Sequence, residues 1–502
     1  MISAFTNTWK VPELRARLIF TIGVIIIVRV GAALTVPGVN AYVLHEWFVN
    51  EVSKRAGGTV AGLLNLFSGG ALENCALFSL SIMPYISASI MLQLLTAVIP
   101  SLNKMSREDG GRQKITQFTR YATVLLCLFQ GYLLARTFEN PANNQLLVGI
   151  TDTIARTGVQ LVANPGLGFE IITVISLTAG TMLLMWLGDQ ITDRGIGNGI
   201  SLIITVGIVA QLPAALLQAW RTFVPSGAAA VGQTAVSPAV LVLMVAFLLL
   251  VIAAVIAVTQ ATRKISVQYA KRVVGRKVYG GQTQSLPLKV NYAGVMPIIF
   301  AQAILLFPAT ILSSMFRQSS WAQQVASMLN DGWLHYTLYG AMIFFFSYFW
   351  VATQFQPNQI AEDLKKNGGY IAGYRPGKPT AEFLDFTMTR LTFAGAIFLT
   401  VIAVLPQLLA RGLNVPYITA QFFGGTGLLI IVGVMLDTMR QVETHLIQQH
   451  YDGFLRKGRI RGRFDRLAAI NQGNVSQQGV MVLVWVGVAL LLIGGVAFFL
   501  NR

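Results

Sequence analysis

The sequence is divided into blocks of about twenty apolar residues that are separated by more polar segments. An α-helix rises about 1.5 Å per residue, so a block of this length can cross a hydrocarbon core that is roughly 30 Å thick. The blocks are eleven in number and lie at 16–36, 75–98, 121–135, 171–187, 200–220, 239–258, 293–312, 338–352, 391–409, 422–436 and 480–500. The pattern predicts an all-α polytopic membrane protein.

The composition argues against a soluble enzyme, because 54% of the residues are hydrophobic and only 11% are charged. Cys75 and Cys127 fall within apolar blocks, which favours small buried side chains over disulfides or metal ligands. The histidines, at positions 45, 335, 445 and 450, lack the spacing of a zinc site. The sequence also lacks a phosphate loop of the Lys-Ser/Thr type. We therefore expect no catalytic residues, no metal and no cofactor.

The basic residues predict how the chain is oriented. The net charge is +17, and with a cytoplasmic N-terminus most of the 37 Lys and Arg residues fall on the cytoplasmic side. This is the distribution that the positive-inside rule requires. The first block continues into Pro37 without a small-residue cleavage site, so no cleaved signal peptide is expected. We predict a multi-pass membrane protein with a cytoplasmic N-terminus, and with its C-terminus outside because of the eleventh block.

The number of blocks also suggests internal symmetry. Blocks one to five and six to ten are equal sets, so the second set enters the membrane from the opposite side, which permits two inverted halves. The predicted divisions are an N-terminal half at 1–220, a C-terminal half at 221–441, a basic cytoplasmic tail at 442–477 and an additional transmembrane helix at 478–502.

One apolar segment, 62–95, is broken in a way that lipid does not tolerate. Its first part is too short to cross a bilayer and ends at Ser68, Gly69 and Gly70, and its second part carries Pro84 and several polar residues. Broken backbone at membrane depth is found only where it faces protein or a water-filled cavity. The segment is therefore predicted to be a short half-helix that folds back into a cavity, followed by a helix that lines the cavity.

Two predicted cytoplasmic loops, 261–290 and 354–390, are long and basic. The first holds seven Lys and Arg residues and no acid, and its apolar residues alternate at Ile265, Val267 and Tyr269. Alternation of this kind predicts a β-hairpin that projects into water. Such a surface suits a polyanion, such as RNA, or an acidic protein, although attraction to anionic lipid is an alternative.

Ionisable residues are scarce within the blocks. Glu170 and Asp189 bracket the fourth block, Asp437 lies near the inner end of the tenth, and Arg29 lies within the first. Ion-coupled carriers place carboxylates near the bilayer midplane, so their scarcity disfavours a secondary carrier built from the same inverted halves. A membrane enzyme, the other alternative, would need a convergent nucleophile, base or metal cluster. Arg29 is interpreted as snorkelling or as bonding to another helix.

Several strings of residues resemble the bacterial SecY family of protein-conducting channels, over about residues 10–463. They are NLFSGGALEN, IMPYISASIMLQLL, MWLGDQITDRGIGNGIS, YAKRVVGRKVYGGQTQSLPLKVNYAGVMP, EDLKKNGGYIAGYRPGKPT and FGGTGLLIIVGVMLDTMRQVETHL. The resemblance implies a ten-helix channel of two inverted five-helix halves, to which this chain adds an eleventh C-terminal helix. It implies a passive conduit for unfolded preproteins that also releases hydrophobic segments sideways into the bilayer.

The resemblance also implies the residues that close the channel. Residues of about 58–71 match the plug, of which we single out Leu63, Leu64, Asn65, Leu66, Phe67, Ser68, Gly69 and Gly70. The positions that match the pore ring are Ile82, Ile86, Ile204, Ile299 and Ile430, with Ile200 adjacent. A ring of stiff, branched apolar side chains can dewet a narrow pore and so block ions.

The remaining implied sites concern the lateral gate and the partners. The gate would lie between the helix at 76–98 and the seventh block, with Gln93 and Asn291 as a polar pair and 337–353 as a further partner. Arg276, Lys277 and Arg375 match the positions that dock partners. The implied partners are the SecE and SecG subunits, the SecA motor ATPase, the ribosome with its RNA, signal peptides, preproteins and membrane lipid. Energy would come from the motor or the ribosome.

Overall fold

The fold is described from a computed structural model. The described residues are 11–52, 60–108, 110–141, 147, 149–223, 238–269, 272–274, 277–279, 283–315, 319–330, 332–412, 422 and 426–456. The predicted eleventh helix, at 478–502, and the end of the basic tail lie outside them. The helical part of the tail reaches Arg456.

The described part of the N-terminal half is mostly helical. Its helices are α1 (Pro12–Gly31), α2 (Ala41–Trp47), α3 (Val60–Ser68), α4 (Met83–Val98), α5 (Pro100–Arg107), α6 (Gly111–Glu139), α7 (Ile150–Thr157), α8 (Leu167–Arg194) and α9 (Gly199–Phe223). A π-helical turn, Phe48–Val52, follows α2.

The described part of the C-terminal half adds a small amount of sheet. Its elements are α10 (Pro238–Gln260), β1 (Thr262–Tyr269), β2 (Arg272–Val274), β3 (Lys277–Tyr279), β4 (Thr283–Lys289), α11 (Met296–Met315), α12 (Ser320–Asn330), α13 (Trp333–Gln354), α14 (Pro357–Lys366), β5 (Gly369–Ile371), α15 (Lys378–Gly412) and α16 (Thr426–Arg456).

Many of these helices are long and apolar enough to cross a membrane. Among the described residues the candidates are 6: Gln113–Glu139, Leu167–Arg194, Gly199–Trp220, Val242–Gln260, Trp333–Lys366 and Lys378–Leu405. The pair formed by α4 and α5, which bend by 106° relative to each other, raises the number to 7 if it is counted as one span. Helices α1, α11 and α16 occupy three further predicted blocks. A multi-pass helical fold is therefore confirmed, while the arrangement of ten helices plus one stays a prediction.

The predicted block at 75–98 is helical only from Met83. The preceding residues form turns, in which Cys75 and Ser81 have positive φ values of 44° and 54°. The hydroxyl of Ser79 donates to the carbonyl of Ala71 at 3.0 Å and so satisfies backbone that a helix would otherwise pair. Pro84 then lies in the first turn of α4, where its missing N–H costs nothing. The local turn chemistry therefore outweighs the apolar composition.

The predicted alternation of the first basic loop is confirmed. β1 lies between β4 and β5 in an antiparallel sheet, with Ile265 opposite Leu286 and Val267 opposite Ile371. Ile265 and Val267 are buried, as the period of two requires. β2 and β3 form a separate antiparallel pair. Because β5 follows α14, the sheet joins the two basic loops into one structure.

Ion pairs connect α6 to the two ends of α8. Arg120 lies 2.6 Å from Asp189, and Arg136 lies 3.3 Å from Glu170. The two acids that bracket the fourth block therefore fix one helix beside another.

Candidate functional site

The five predicted ring isoleucines are all buried, and all belong to the same large apolar cluster. Ile82 precedes α4, and the others lie on α4 (Ile86), α9 (Ile204), α11 (Ile299) and α16 (Ile430). Helix α4 packs against α11, and α9 packs against α16, so each contact joins the two predicted halves. Ile200 is partly buried beside the same cluster. Four helices therefore bring these residues into one core, and their role as a ring stays a prediction.

The predicted plug segment contains the short helix α3, which packs against α9. Asn65, Leu66, Phe67 and Ser68 are buried, whereas the side chain of Leu63 and residues 58–59 lie outside the described part. Two glycines with φ values of 67° and 88°, Gly69 and Gly70, end the helix. Positive φ is a conformation that glycine adopts without strain, so these residues stop α3 where the sequence predicts.

Two side chains from elsewhere bind the carbonyl groups at the end of α3. The hydroxyl of Ser81 donates to the carbonyl oxygen of Phe67 at 2.9 Å. The guanidinium of Arg29, on α1, donates to the carbonyl oxygen of Gly69 at 2.8 Å. A cation near the C-terminal end of a helix is also favoured by the helix dipole. The interpretation that Arg29 bonds to another helix agrees with this contact, although the sequence did not indicate the partner.

The end of the plug segment lies directly against α9. A Cβ atom placed on Gly69 would lie 2.6 Å from the Cα atom of Gly207, and one placed on Gly207 would lie 3.3 Å from the carbonyl oxygen of Phe67. The first distance is shorter than any carbon contact tolerates. Glycine is therefore required at position 69 by packing as well as by its φ value.

A polar network holds the start of the following turn against α2. The side-chain nitrogen of Asn65, Nδ2, donates to Oε2 of Glu73 at 3.1 Å, and the backbone N–H of Glu73 donates to Oδ1 of Asn65 at 3.0 Å. Oε1 of Glu73 lies 2.7 Å from Nδ1 of His45. The plug segment is thus tied to its surroundings at two places, through Asn65 and through Gly69.

The two amides of the predicted gate make separate contacts. The side chain of Gln93 donates to the hydroxyl of Ser89 at 3.3 Å, within α4. The side chain of Asn291 donates to the carbonyl oxygen of Gly294 at 3.1 Å and closes the loop that precedes α11. Each amide is therefore bonded inside its own segment, and the role of Gln93 and Asn291 as a gate pair stays a prediction.

A cavity of about 450 Å³ opens between the two halves, next to the end of β4. Asn198 lines it from the N-terminal half, and Asn291, Asp437 and Arg440 line it from the C-terminal half. Arg440 also donates to the carbonyl oxygen of Thr259 at 3.3 Å. Polar and apolar residues from the two halves therefore line this cavity, which lies next to Lys289 at the end of β4.

Of the three predicted docking residues, Arg375 and the backbone of Lys277 lie within the described part of the chain. Arg375 is exposed between β5 and α15, where its carbonyl accepts a hydrogen bond of 2.8 Å from the Thr380 hydroxyl. Lys277 belongs to β3, but its side chain and all of Arg276 lie outside the described residues. Only Arg375 can therefore be placed on the surface.

Comparison with known proteins agrees with this geometry. The family model described as SecY matches residues 76–439. The protein translocase subunit SecY of Thermotoga maritima is 41% identical over 471 residues, which cover 92% of this chain and 100% of that protein. A solved protein-conducting channel is 17% identical, with a TM-score of 0.59 over 87% of this chain and 96% of the other. Sec61 in a canine ribosome-channel complex from the endoplasmic reticulum is 16% identical, with a TM-score of 0.56 over the same shares. The chain therefore belongs to the SecY family.

Proposed function

We propose that this chain is the central channel subunit of a protein translocase, through which unfolded preproteins cross the plasma membrane. The observation that carries the proposal is a short broken helix, α3, whose final carbonyl groups are bound by side chains of Arg29 and Ser81. The helix lies against α9, which also carries one of the buried isoleucines. A segment such as α3, which is held by a few hydrogen bonds beside the buried isoleucines, suits a channel that opens and closes.

In this proposal, the isoleucines and the plug close the channel by different means. The five aliphatic side chains exclude water, and therefore ions, from the narrowest part of the path. The segment from α3 to Gly70 blocks the path sterically and moves aside when a preprotein enters. Closure by a plug that is bonded at few points can be reversed by a moving chain, and the channel itself needs no chemical step.

We also propose a lateral opening between α4 and α11, with α13 as its neighbour. Gln93 and Asn291 each bond within their own segment, and polar bonds between membrane helices contribute only about 0.6 to 2 kcal/mol. A hydrophobic signal peptide can therefore compete for this seam and pass into the lipid. The cavity beside Asn291 would receive the arriving chain before it reaches the isoleucines.

In this proposal, partner proteins supply the energy for translocation and complete the channel. The sheet formed by β1, β4 and β5, with Arg276, Lys277 and Arg375, would bind the SecA motor or ribosomal RNA. SecE and SecG would complete the channel within the membrane. The full proposed architecture is ten spans in two inverted halves, with a cytoplasmic N-terminus and an eleventh helix at 478–502 that leaves the C-terminus outside.

Reconstitution tests the proposed function directly. Vesicles that contain this chain with SecE and SecG, supplied with SecA, ATP and an unfolded secretory precursor, are expected to protect the precursor from added protease. Vesicles without this chain and reactions without ATP are the controls. Failure to protect the precursor, with SecA shown to bind the vesicles, would overturn the proposal.

Reversing the charge of Arg375 is expected to weaken partner binding while the closed channel stays closed. The residue is exposed, and the residues that flank it, Ile371 and Leu384, pack in a different apolar cluster from the isoleucines. Arg375→Glu is therefore expected to change the docking surface alone. We expect binding of SecA to weaken roughly tenfold, which corresponds to about 1.4 kcal/mol. Vesicle-binding titrations and resting ion conductance are the two measurements.

Lys366→Glu provides the matched control for Arg375→Glu, because Lys366 is also exposed, in the same basic loop, and the charge changes equally. An equal loss of binding in both variants would mean that only the summed charge of the loop matters, and a specific role for Arg375 would be refuted.

A further inference from the structure

Helix α12 has an exposed apolar face. Trp321, Val325 and Met328 are 59%, 39% and 53% exposed. Residues that are four and seven positions apart lie on one side of a helix, so the three side chains form a single stripe. This stripe is called the α12 face below.

The other two sides of α12 have different environments. Ala322 and Ala326 are completely buried, and α12 packs mainly against α11. Gln324 and Ser327 are exposed on a third side, which is polar. The sequence of the helix, SWAQQVASMLN, contains no charged residue. One side therefore contacts protein, one suits water and one suits an apolar medium.

The position of α12 identifies that medium. β4 precedes α11 and β5 follows α13, so α12 joins the ends of these helices that are remote from the sheet. Asn330 is three residues before Trp333, where a candidate span begins, and three residues extend about 10 Å at most. The ring of His335 bonds through Nδ1 to the carbonyl oxygen of Leu329 at 2.7 Å and so fixes α12 to α13.

We propose that the α12 face lies in the boundary between the headgroups and the acyl chains of the bilayer, at the end of the molecule remote from the sheet. The lipid-facing surface of α13 continues from it, with Trp333 at 78% and Phe345 at 53% exposed. Tryptophan is enriched at this depth, and a helix with one apolar and one polar side is typical of an interfacial element.

The anchoring would also affect α11. Because α12 packs on α11 through its alanine side, a fixed depth of α12 would hold that end of α11 while the rest of the helix moves. This consequence rests on the proposed lateral opening, in which α11 is one of the two helices that separate. The anchoring itself does not depend on translocation and can be measured in the closed channel.

Site-directed spin labelling tests the proposal. The starting variant is the full chain with Cys75 and Cys127 replaced by alanine. Into it a single cysteine would be introduced in place of Val325 or Met328. A cysteine in place of Ser327, on the polar side of the same helix, is the matched control. The labelled full-length protein would be reconstituted in vesicles of phosphatidylethanolamine and phosphatidylglycerol. Collision rates with oxygen, which concentrates in lipid, and with a water-soluble nickel complex would then be compared.

The expected result is a several-fold higher ratio of oxygen to nickel collisions at positions 325 and 328 than at position 327. The depth calculated from these ratios should place the two labels about 5 to 10 Å below the headgroups. Equal ratios at all three positions would show that the apolar side lies no deeper in the bilayer than the polar side, which would overturn the proposal. Low collision rates with both reagents at 325 and 328 would show that protein covers the face, which would overturn it equally.

Discussion

Replacing Ile86 and Ile204 together by asparagine is expected to make the resting channel conduct ions. Both side chains are buried in the cluster that joins the two halves. An apolar constriction blocks ions by excluding water, and two amide groups would supply hydrogen bonds that let water fill it. The expected change is from a closed baseline to a steady conductance in a planar bilayer, with no partner or precursor added.

Two controls separate this leak from damage to the fold. Replacing the same two residues by valine keeps the constriction apolar and lowers the free energy of unfolding by only about 0.5 to 1.5 kcal/mol for each residue. The channel of this variant should therefore stay closed. Ile191→Asn places an amide at an equally buried site of the same cluster, on α8 and outside the proposed ring. If Ile191→Asn leaked as much as the double variant, the ring would not be the seal.

Replacing Arg29 by methionine is expected to release the plug. The change keeps an unbranched side chain but removes the hydrogen bond of 2.8 Å to the carbonyl oxygen of Gly69. A hydrogen bond from a charged group contributes about 1.5 to 3 kcal/mol, and each 1.4 kcal/mol changes an equilibrium about tenfold. The displaced plug should therefore become roughly ten to a hundred times more populated.

The native thiol of Cys75 can report this displacement. It is completely buried, in a cluster that also contains Ala61 of α3. With Cys127 replaced by alanine, Arg29→Met should raise the labelling rate of Cys75 by a water-soluble maleimide in proportion to the displaced fraction. Arg17→Gln removes a half-buried arginine of the same helix that pairs with Glu13 at 3.5 Å, and it should not change the rate. If Cys75 were labelled equally fast in the variant with Arg29→Met and in the chain with Cys127→Ala alone, the role of Arg29 would be refuted.

Features that depend on neighbouring residues were predicted well from the sequence. The alternation at Ile265 and Val267 predicts the strand β1, and the glycines at 69 and 70 predict the end of α3. In each case the periodicity or the backbone freedom of a few adjacent residues decides the outcome. The apolar blocks predict the long helices for the same reason.

Features that depend on distant residues could not be predicted in this way. Arg29 and Gly69 are 40 positions apart, and nothing near either residue indicates the other. The turns at 71–82 were missed because the hydroxyls of Ser79 and Ser81 bond to carbonyls 8 and 14 positions earlier, which composition does not reveal. The separate bonds of Gln93 and Asn291 likewise depend on how each segment closes on itself.

The pairing of β5 with β1 has a mechanical consequence. β1 continues from α10, β4 continues into α11, and β5 lies between α14 and α15, so one short sheet is fastened to several helices of the C-terminal half. A force applied to any one strand of the sheet would be transmitted to all of these helices. A partner that pressed on the sheet would therefore displace α10, α11, α14 and α15 together rather than one at a time.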